Sequence, residues 1–382
     1  MASRAADSCL PEWMDWIRRE IAPHAGEWDA AGHLPQDLPL RLAEAGLLAL
    51  AIPAEYGGRE CDPLTYGRVH AELGAACAST RALLTVHDMV ASAIARWGDE
   101  VARRRWLPAL ARGERLGAFA LTEPGAGSDA RAITTRASRE EDGFVLSGHK
   151  HWISFAPLAG LLLVFARCEE QASAFLVPLP TKGVRIQAMP APLGMRASLP
   201  GEIEFEGCRL GQDALLGRIG AGLSHIAATA LALGRYGVAW GCVGIQRACL
   251  ASAVDHARER VQFGKRLCEH EMIQEQLARM AVDLRASELL CEEAGRLRAE
   301  RDPEAFLATA LAKTHASQAA QRASERAVQI LGARGCAPAS AVQRHFRDAK
   351  VMEIIEGSTE IQHLLIANDV LRRHGGSGHV AR

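Results

Sequence analysis

The sequence predicts an α+β protein of three consecutive units: helical, then all-β, then helical again. Two observations carry this. Between about residues 116 and 216, short apolar segments alternate with Gly, Pro and charged residues: "GAFALT", "GFVLSG", "GLLLVFARC", "SAFLVPL", "GVRIQAM" and "EIEFEG". Six short strands in so little chain suit a compact β unit better than strand–helix crossovers. On both sides, apolar residues return at helical spacing. Boundaries are expected at 1–115, 116–220 and 221–382.

The first unit shows its helical face in Trp13, Trp16, Ile17 and Ile21, at i, i+3, i+4 and i+8. "PLRLAEAGLLAL" and "VARRRWLPALARG" read as further helices, separated by the Pro/Gly-rich "IPAEYGGRECDP". In the third unit, helices are expected over 222–262, 270–300, 303–332 and 357–374. The last ends in Arg372, Arg373 and His374 before Gly375-Gly376, a basic C-terminus followed by a stop.

With 44 basic against 45 acidic side chains, nothing suggests a nucleic-acid footprint. The N-terminus lacks an apolar core of signal-peptide length, and runs such as "AGLLLVFA" are too short for a bilayer. A soluble cytoplasmic protein is expected. The ten cysteines include no C-x-x-C pair, as in a reducing compartment. His149 and His151 share a strand face but have no third ligand nearby, so no metal is expected.

Three stretches carry possible chemistry. "AFALTEPGAGSDA" (118–130) runs from a strand into a turn whose backbone N–H groups, with the Thr122 and Ser128 hydroxyls, suit a polyanionic or heteroaromatic ligand. It is equally readable as a tight polar connection. In "HKHWISF", Trp152 stands beside Ser154, 29 residues after Glu123, where a flat ring could be covered on one face. In "IIEGSTEI" (354–361), Glu356 follows two Ile residues. It is either an acid at the start of a helix near Ser358, favoured by the dipole, or a base whose proton affinity is raised by desolvation.

Taken together, four motifs in order resemble the acyl-CoA dehydrogenase superfamily over nearly the whole chain. They are "ALTEPGAGSD" (120–129), "WIS" (152–154), "RVQFGK" (260–265) and "QILGARG…RDAKVMEIIEGSTEIQ" (329–362). The resemblance implies a helical N-terminal domain, a middle β-barrel and a C-terminal four-helix bundle. It implies FAD, held by Phe119, Leu121, Thr122, Gly127 and Ser128, with Trp152, Ile153 and Ser154 along the isoalloxazine. By the same resemblance Arg260, Gln262, Phe263 and His270 reach the FAD of a neighbouring subunit, as does the stretch with Gln329, Ile330, Gly332 and Ala333. Ser358 and Glu360 complete the cofactor set, and a homodimer or homotetramer follows. Ala333 stands where the family has a second Gly, and Glu360 where it has Gln.

The resemblance also places a base 27 residues after Gln329, at Glu356. Such a base removes the α-proton of an acyl thioester while hydride leaves for flavin N5. Gly357 would let the substrate carbonyl approach the Glu356 N–H. Arg235, Tyr236 and Ser128 fall at substrate positions, although the acid usual three residues before Arg235 is Ala232. Arg81 stands roughly where glutaryl-CoA dehydrogenases bind a distal carboxylate; a surface ion pair is the plainer reading. "LLTVHDMV" and "GRYGVAWGCVG" are similar in texture to the acyl-carrier-protein-dependent dehydrogenases of polyketide extender-unit biosynthesis, which make hydroxymalonyl or methoxymalonyl units. The expected function is therefore an FAD-dependent acyl-thioester dehydrogenase acting on a C3 glyceryl-type group on acyl carrier protein. A short-chain or glutaryl-type acyl-CoA dehydrogenase, a flavin monooxygenase on the same fold and a non-catalytic scaffold are the alternatives. The electron acceptor is not specified.

Overall fold

The computed structural model describes residues 2–374, so the stop at Gly375-Gly376 lies outside the described residues. The first helical unit comprises α1 (Ala2–Glu20), α2 (Ala25–Ala31), α3 (Leu38–Glu44), α4 (Pro63–Ala76), α5 (Ala78–Trp97) and α6 (Glu100–Ala111). Trp13, Ile17 and Ile21 are buried and Trp16 half-buried, the face that the spacing anticipates. α3 stops earlier than "PLRLAEAGLLAL" suggests, because Gly46 takes φ +77° and turns the chain. Leu47, Leu48 and Leu50 then enter the core from a turn. Asp62 starts α4 by accepting the Leu64 and Thr65 N–H groups at 2.9 and 3.1 Å.

The β unit holds β1 (Gly117–Ala120), β2 (Arg136–Glu140), β3 (Gly143–Ile153), β4 (Leu161–Cys168), β5 (Gln171–Pro178), β6 (Val184–Ala188), β7 (Gly201–Gly211) and β8 (Leu215–Leu216). Pairing runs β6-β7-β3-β2-β4-β5-β8. One edge of β4 is divided: β1 pairs with it in parallel from Leu161 to Val164, and β2 only at Arg136↔Arg167. The expected barrel is thus a mixed sheet with an open path, and among the described residues no pairing joins β6 to β8. β2 escaped the sequence reading because "RASRE" is mostly exposed and charged, without apolar alternation. β8 is two residues long.

A π-helical lead-in (Gly222–Ala227) opens α7 (Ala228–Glu259), followed by the hairpin β9 (Val261–Gln262) and β10 (Lys265–Arg266). Then come α8 (Glu271–Ala299), α9 (Ala305–Leu331), α10 (Ala333–Cys336), α11 (Ala341–Met352) and α12 (Thr359–His374). Contrary to the apolar-run reading, Gly222–Glu259 is long and apolar enough to cross a membrane, but 72% of its apolar window is buried inside the protein. It is the central helix of the core, packed on α4, α5, α8 and α9. α11 was not anticipated. Its inward face is Val342, His345, Asp348, Ala349 and Met352, so polar side chains occupy core-facing positions and hide the period.

α11 is fastened to the β unit. Asp348 accepts the Met195 N–H at 2.5 Å, while Arg347 pairs with Asp29 at 2.5 Å and donates to the Leu193 carbonyl at 3.1 Å. Whatever follows α11 is therefore placed against both other units.

Candidate active site

Glu356 follows α11 in a turn and precedes α12. Its φ is +58°, a left-handed conformation uncommon outside Gly, Asn and Asp, so the surroundings must hold it there. They do so through carbonyls. Lys313 of α9, fully buried, donates to the Glu353 and Gly357 carbonyls at 3.2 and 2.9 Å. Gln362 donates to Gly357 at 3.1 Å, and Arg235 Nε to the Glu356 carbonyl at 2.9 Å. Gly357, at φ +94°, is in a conformation that strains any side chain, and a Cβ there would push on Gln362 Nε2, 2.7 Å away.

The half-buried carboxylate lies back against α7 and α5. A Cβ on Gly234 would stand 2.7 Å from Glu356 Oε2 and 2.8 Å from Met89 Sδ. Burial pushes the Glu356 carboxyl up to about 7, partly opposed by the positive charges of Arg81, Arg235 and Lys313. The desolvation does not come from both preceding Ile residues. Ile354 is 59% exposed, and only Ile355 reaches the core.

Along the same face of α7, Gly234, Gly237 and Gly241 succeed one another by turns. Gly237 faces His70 and Thr85, each 3.3 Å from a Cβ there, and Gly241 faces the Arg81 stem. Leading away from Glu356 is thus a polar line. Arg81 Nη1 donates to Thr85 Oγ1 at 3.0 Å, and Thr85 Oγ1 lies 3.5 Å from His70 Nδ1. Arg81 is 1% exposed, which removes the surface-ion-pair reading. Its Nη2 rests 3.5 and 3.9 Å from the Met352 and Met195 sulfurs, weak acceptors. Among the described residues it forms no ion pair, and its Nε has no partner. Burial lowers the Arg81 pKa and, with the Arg81 charge, holds His70 well below its usual value. The sequence reading missed Thr85, His70, Met89 and Lys313. A lone Lys among the small residues of "ALAKTHASQAA" was the available signal for the last.

The remaining substrate positions separate. Arg235 is buried over the Phe306 ring, its guanidinium 5.7 Å from the centroid. Tyr236 is sealed in the core, its hydroxyl donating to the Pro63 carbonyl at 2.7 Å.

The Thr122–Ser128 turn is an open cradle. Glu123 and Ala126 exchange backbone hydrogen bonds of 3.0 and 3.1 Å, with Pro124 and Gly125 between. A Cβ at Gly125 or Gly127 would meet nothing within 4 Å, and Gly127 and Ser128 are exposed, so a ligand can approach the backbone closely. Thr122 and Ser154 are half-buried. Trp152, at φ +58° and 53% exposed, offers an open indole face. Phe119 is half-buried on β1, whereas Leu121 and Ile153 are buried and can offer only backbone. These features fit a flat ring with a polyanionic tail.

Arg260, Gln262 and Phe263 stand apart. Arg260 follows α7 while Arg235 lies beside Glu356, a separation of roughly 38 Å at 1.5 Å per helical residue. Phe263 is 97% exposed, and His270 Nε2 lies 3.2 Å from the Gln262 carbonyl. Gln329, Gly332 and Ala333 are exposed, and Ile330 is buried. His256, Glu259, Leu331 and Arg334 line one cavity beside Arg260, so these groups share one end of the bundle. Gly332, not Ala333, carries the positive φ of +59°, so Ala333 starts α10 without strain. Ser358 and Glu360 lie beside the Glu356 turn, Ser358 half-buried and Glu360 exposed.

Comparison with known proteins bears on all three units. The sequence profiles of the N-terminal, middle and C-terminal domains of acyl-CoA dehydrogenases match residues 10–114, 118–208 and 220–371. The human mitochondrial short-chain specific acyl-CoA dehydrogenase is 37% identical over 94% of this chain and 88% of its own. FkbI, described for biosynthesis of the methoxymalonyl extender unit of the FK520 polyketide immunosuppressant, superposes with a TM-score of 0.87. It is 36% identical, over 96% of this chain and 99% of its own. A Mycobacterium smegmatis glutaryl-CoA dehydrogenase solved in complex with FADH2 superposes with a TM-score of 0.90 at 27% identity, over 98% and 96% of the two chains.

Proposed function

The chain belongs to the acyl-CoA dehydrogenase family and is an FAD-dependent oxidoreductase, and from that premise we propose that it oxidises a short, polar acyl thioester, of the C3 glyceryl type on acyl carrier protein, with Glu356 as base. The observation that carries this reading is the buried Arg81–Thr85–His70 line beyond Glu356. A saturated acyl chain there would strand a buried cation among CH2 groups, which is costly. A hydroxyl or carbonyl near C3 would instead receive hydrogen bonds. The likeness to FkbI over nearly the whole chain supports the same choice.

In this reading Glu356, desolvated toward neutral basicity, takes the proton from the substrate. Its backbone N–H, which among the described residues has no acceptor, donates to the thioester oxygen and steadies the developing charge. Lys313, Gln362 and Arg235 keep that N–H and the carboxylate aimed by fixing the carbonyls around them. Bound FAD supplies the hydride acceptor. Thr122, Gly127, Ser128, Trp152 and Ser154 would hold its ring and pyrophosphate. Arg260, Gln262, Phe263, His270 and the Gln329–Ala333 stretch would serve the site of a second copy in a homo-oligomer.

The test is anaerobic flavin bleaching with a thioester panel. Glyceryl-carrier protein should reduce the flavin fastest, and faster butyryl-CoA reduction would overturn the polar-substrate reading. Glutaryl-CoA is the second reading, favoured by the unpaired Arg81, and would show as preferential bleaching by that thioester alone. A hydroxylated product formed with oxygen would instead mark a monooxygenase.

A further inference from the structure

Among the described residues, the ion pair between Glu123 and Lys150 is the most deeply buried. Both side chains are buried, 4% and fully, and Lys150 Nζ donates to Glu123 Oε1 at 2.7 Å and to the Leu121 carbonyl at 3.0 Å. Glu123 also accepts the Thr134 N–H at 2.6 Å, the Thr134 hydroxyl at 2.8 Å and the Thr135 N–H at 3.0 Å. One carboxylate thus ties the start of the turn to its return eleven and twelve residues later. The same carboxylate ties both ends to β3, two residues before Trp152. The His151 N–H closes the arrangement on the Thr122 carbonyl at 2.9 Å.

Stability does not explain the pair. Removing two charges from water costs several kcal/mol, and apolar replacements of similar volume are often neutral or better. What an apolar pair cannot do is fix four hydrogen-bonded positions on two separate segments.

We infer that Glu123 and Lys150 are positioning residues for the flavin: the pair sets the spacing between the Thr122–Ser128 cradle and the Trp152 face. The inference rests on the reading that this cradle holds FAD. Neither side chain need touch the cofactor, since each acts through the backbone that does.

The experiment compares Glu123→Asp, Lys150→Met and the double variant Glu123→Leu/Lys150→Met as holoproteins. Unfolding is followed by circular dichroism, FAD release by flavin fluorescence, and the bound flavin by visible spectrum and reduction potential. The double variant should recover the unfolding temperature lost by Lys150→Met. It should still release FAD at lower temperature, bind it at least about tenfold more weakly (about 1.4 kcal/mol), and show a shifted spectrum and potential. Glu123→Asp, which keeps the charge but shortens the reach, should show the same flavin changes with near-parental unfolding, and decides the matter if the double variant does not fold. Parental FAD affinity, spectrum and potential in Glu123→Asp or in the folded double variant overturn the inference. Thr122→Val and Ser128→Ala are the controls. If they too leave FAD binding unchanged, it is the placement of FAD on the cradle that has failed.

Discussion

Gly234 of α7 and Glu356 are in direct opposition: a methyl group on Gly234 would stand 2.7 Å from the carboxylate oxygen. α7 is otherwise a well-packed helix, and Gly in a helix interior costs roughly 0.5–1 kcal/mol against Ala. Here the missing side chain is the space the carboxylate occupies. Gly234→Ala should therefore move Glu356 by about an ångström while leaving the flavin cradle intact. Turnover should fall roughly 10²-fold with FAD content unchanged. Parental turnover in the Ala variant would show that the carboxylate is not held where the reaction needs it.

The raised Glu356 pKa fixes two pH dependences. Activity needs the carboxylate form, so kcat/KM should rise with pH and level off above about 7. Stability runs the other way. Between an unfolded value of 4.5 and a folded value of about 7, the folded chain holds the Glu356 proton more tightly, so stability falls as pH rises through that window. Glu356→Gln removes this cost. It should stabilise the fold at pH 8, by on the order of 1–3 kcal/mol given the half-buried site, and hardly at pH 4. Flavin reduction in the same variant should slow roughly 10²–10⁴-fold, with Glu356→Asp between. A Gln variant that bleaches at the parental rate with full FAD would leave Glu356 as a mere turn acid.

Much of this was legible in the sequence because the motifs lie in contiguous runs. The turn at Thr122–Ser128, Trp152 and Glu356 each announce themselves by neighbours. The polar line was not legible, since α4 and α5 were not read as separate helices: Thr85 lies one turn after Arg81 on α5, and His70 of α4 reaches it only through packing. α11 was missed for a related reason: Asp348 and His345 occupy buried positions, where an apolar pattern is expected. The source of the Glu356 desolvation was misread because adjacency in sequence put Ile354 forward, while the fold turns it outward and supplies Gly234 and Met89 instead.

Arg81 should set substrate choice. Replacing it with Met keeps the stem volume and removes the buried charge. Charged hydrogen bonds contribute about 1.5–3 kcal/mol, so kcat/KM for a glyceryl thioester should drop about 10–100-fold. Butyryl-CoA, which has nothing to offer the guanidinium, should be unaffected or improved. An equal loss on both thioesters would make Arg81 a packing residue.

The separation between Arg260 and Glu356 gives the last prediction. At roughly 38 Å along α7, one chain cannot bring both to one flavin, so a site that uses both draws them from different copies. Arg260→Met should weaken FAD retention through the loss of a charge-assisted phosphate contact, and Glu356→Gln should hold FAD but not reduce it. Mixing the two variants separates this arrangement from one in which each chain works alone. In a mixed pair, one site combines the Arg260 of one chain with the Glu356 of the other, both unaltered, and the second site carries both changes. Random pairing of equal amounts in a symmetric dimer restores about a quarter of the parental sites. Activity of the co-refolded mixture should therefore exceed either variant alone, while flavin content stays near the average of the two, since half of all sites keep an unaltered Arg260. A mixture no more active than the average of its two components would place both residues in the service of their own chain, and Arg260 would lose its assignment to the cofactor.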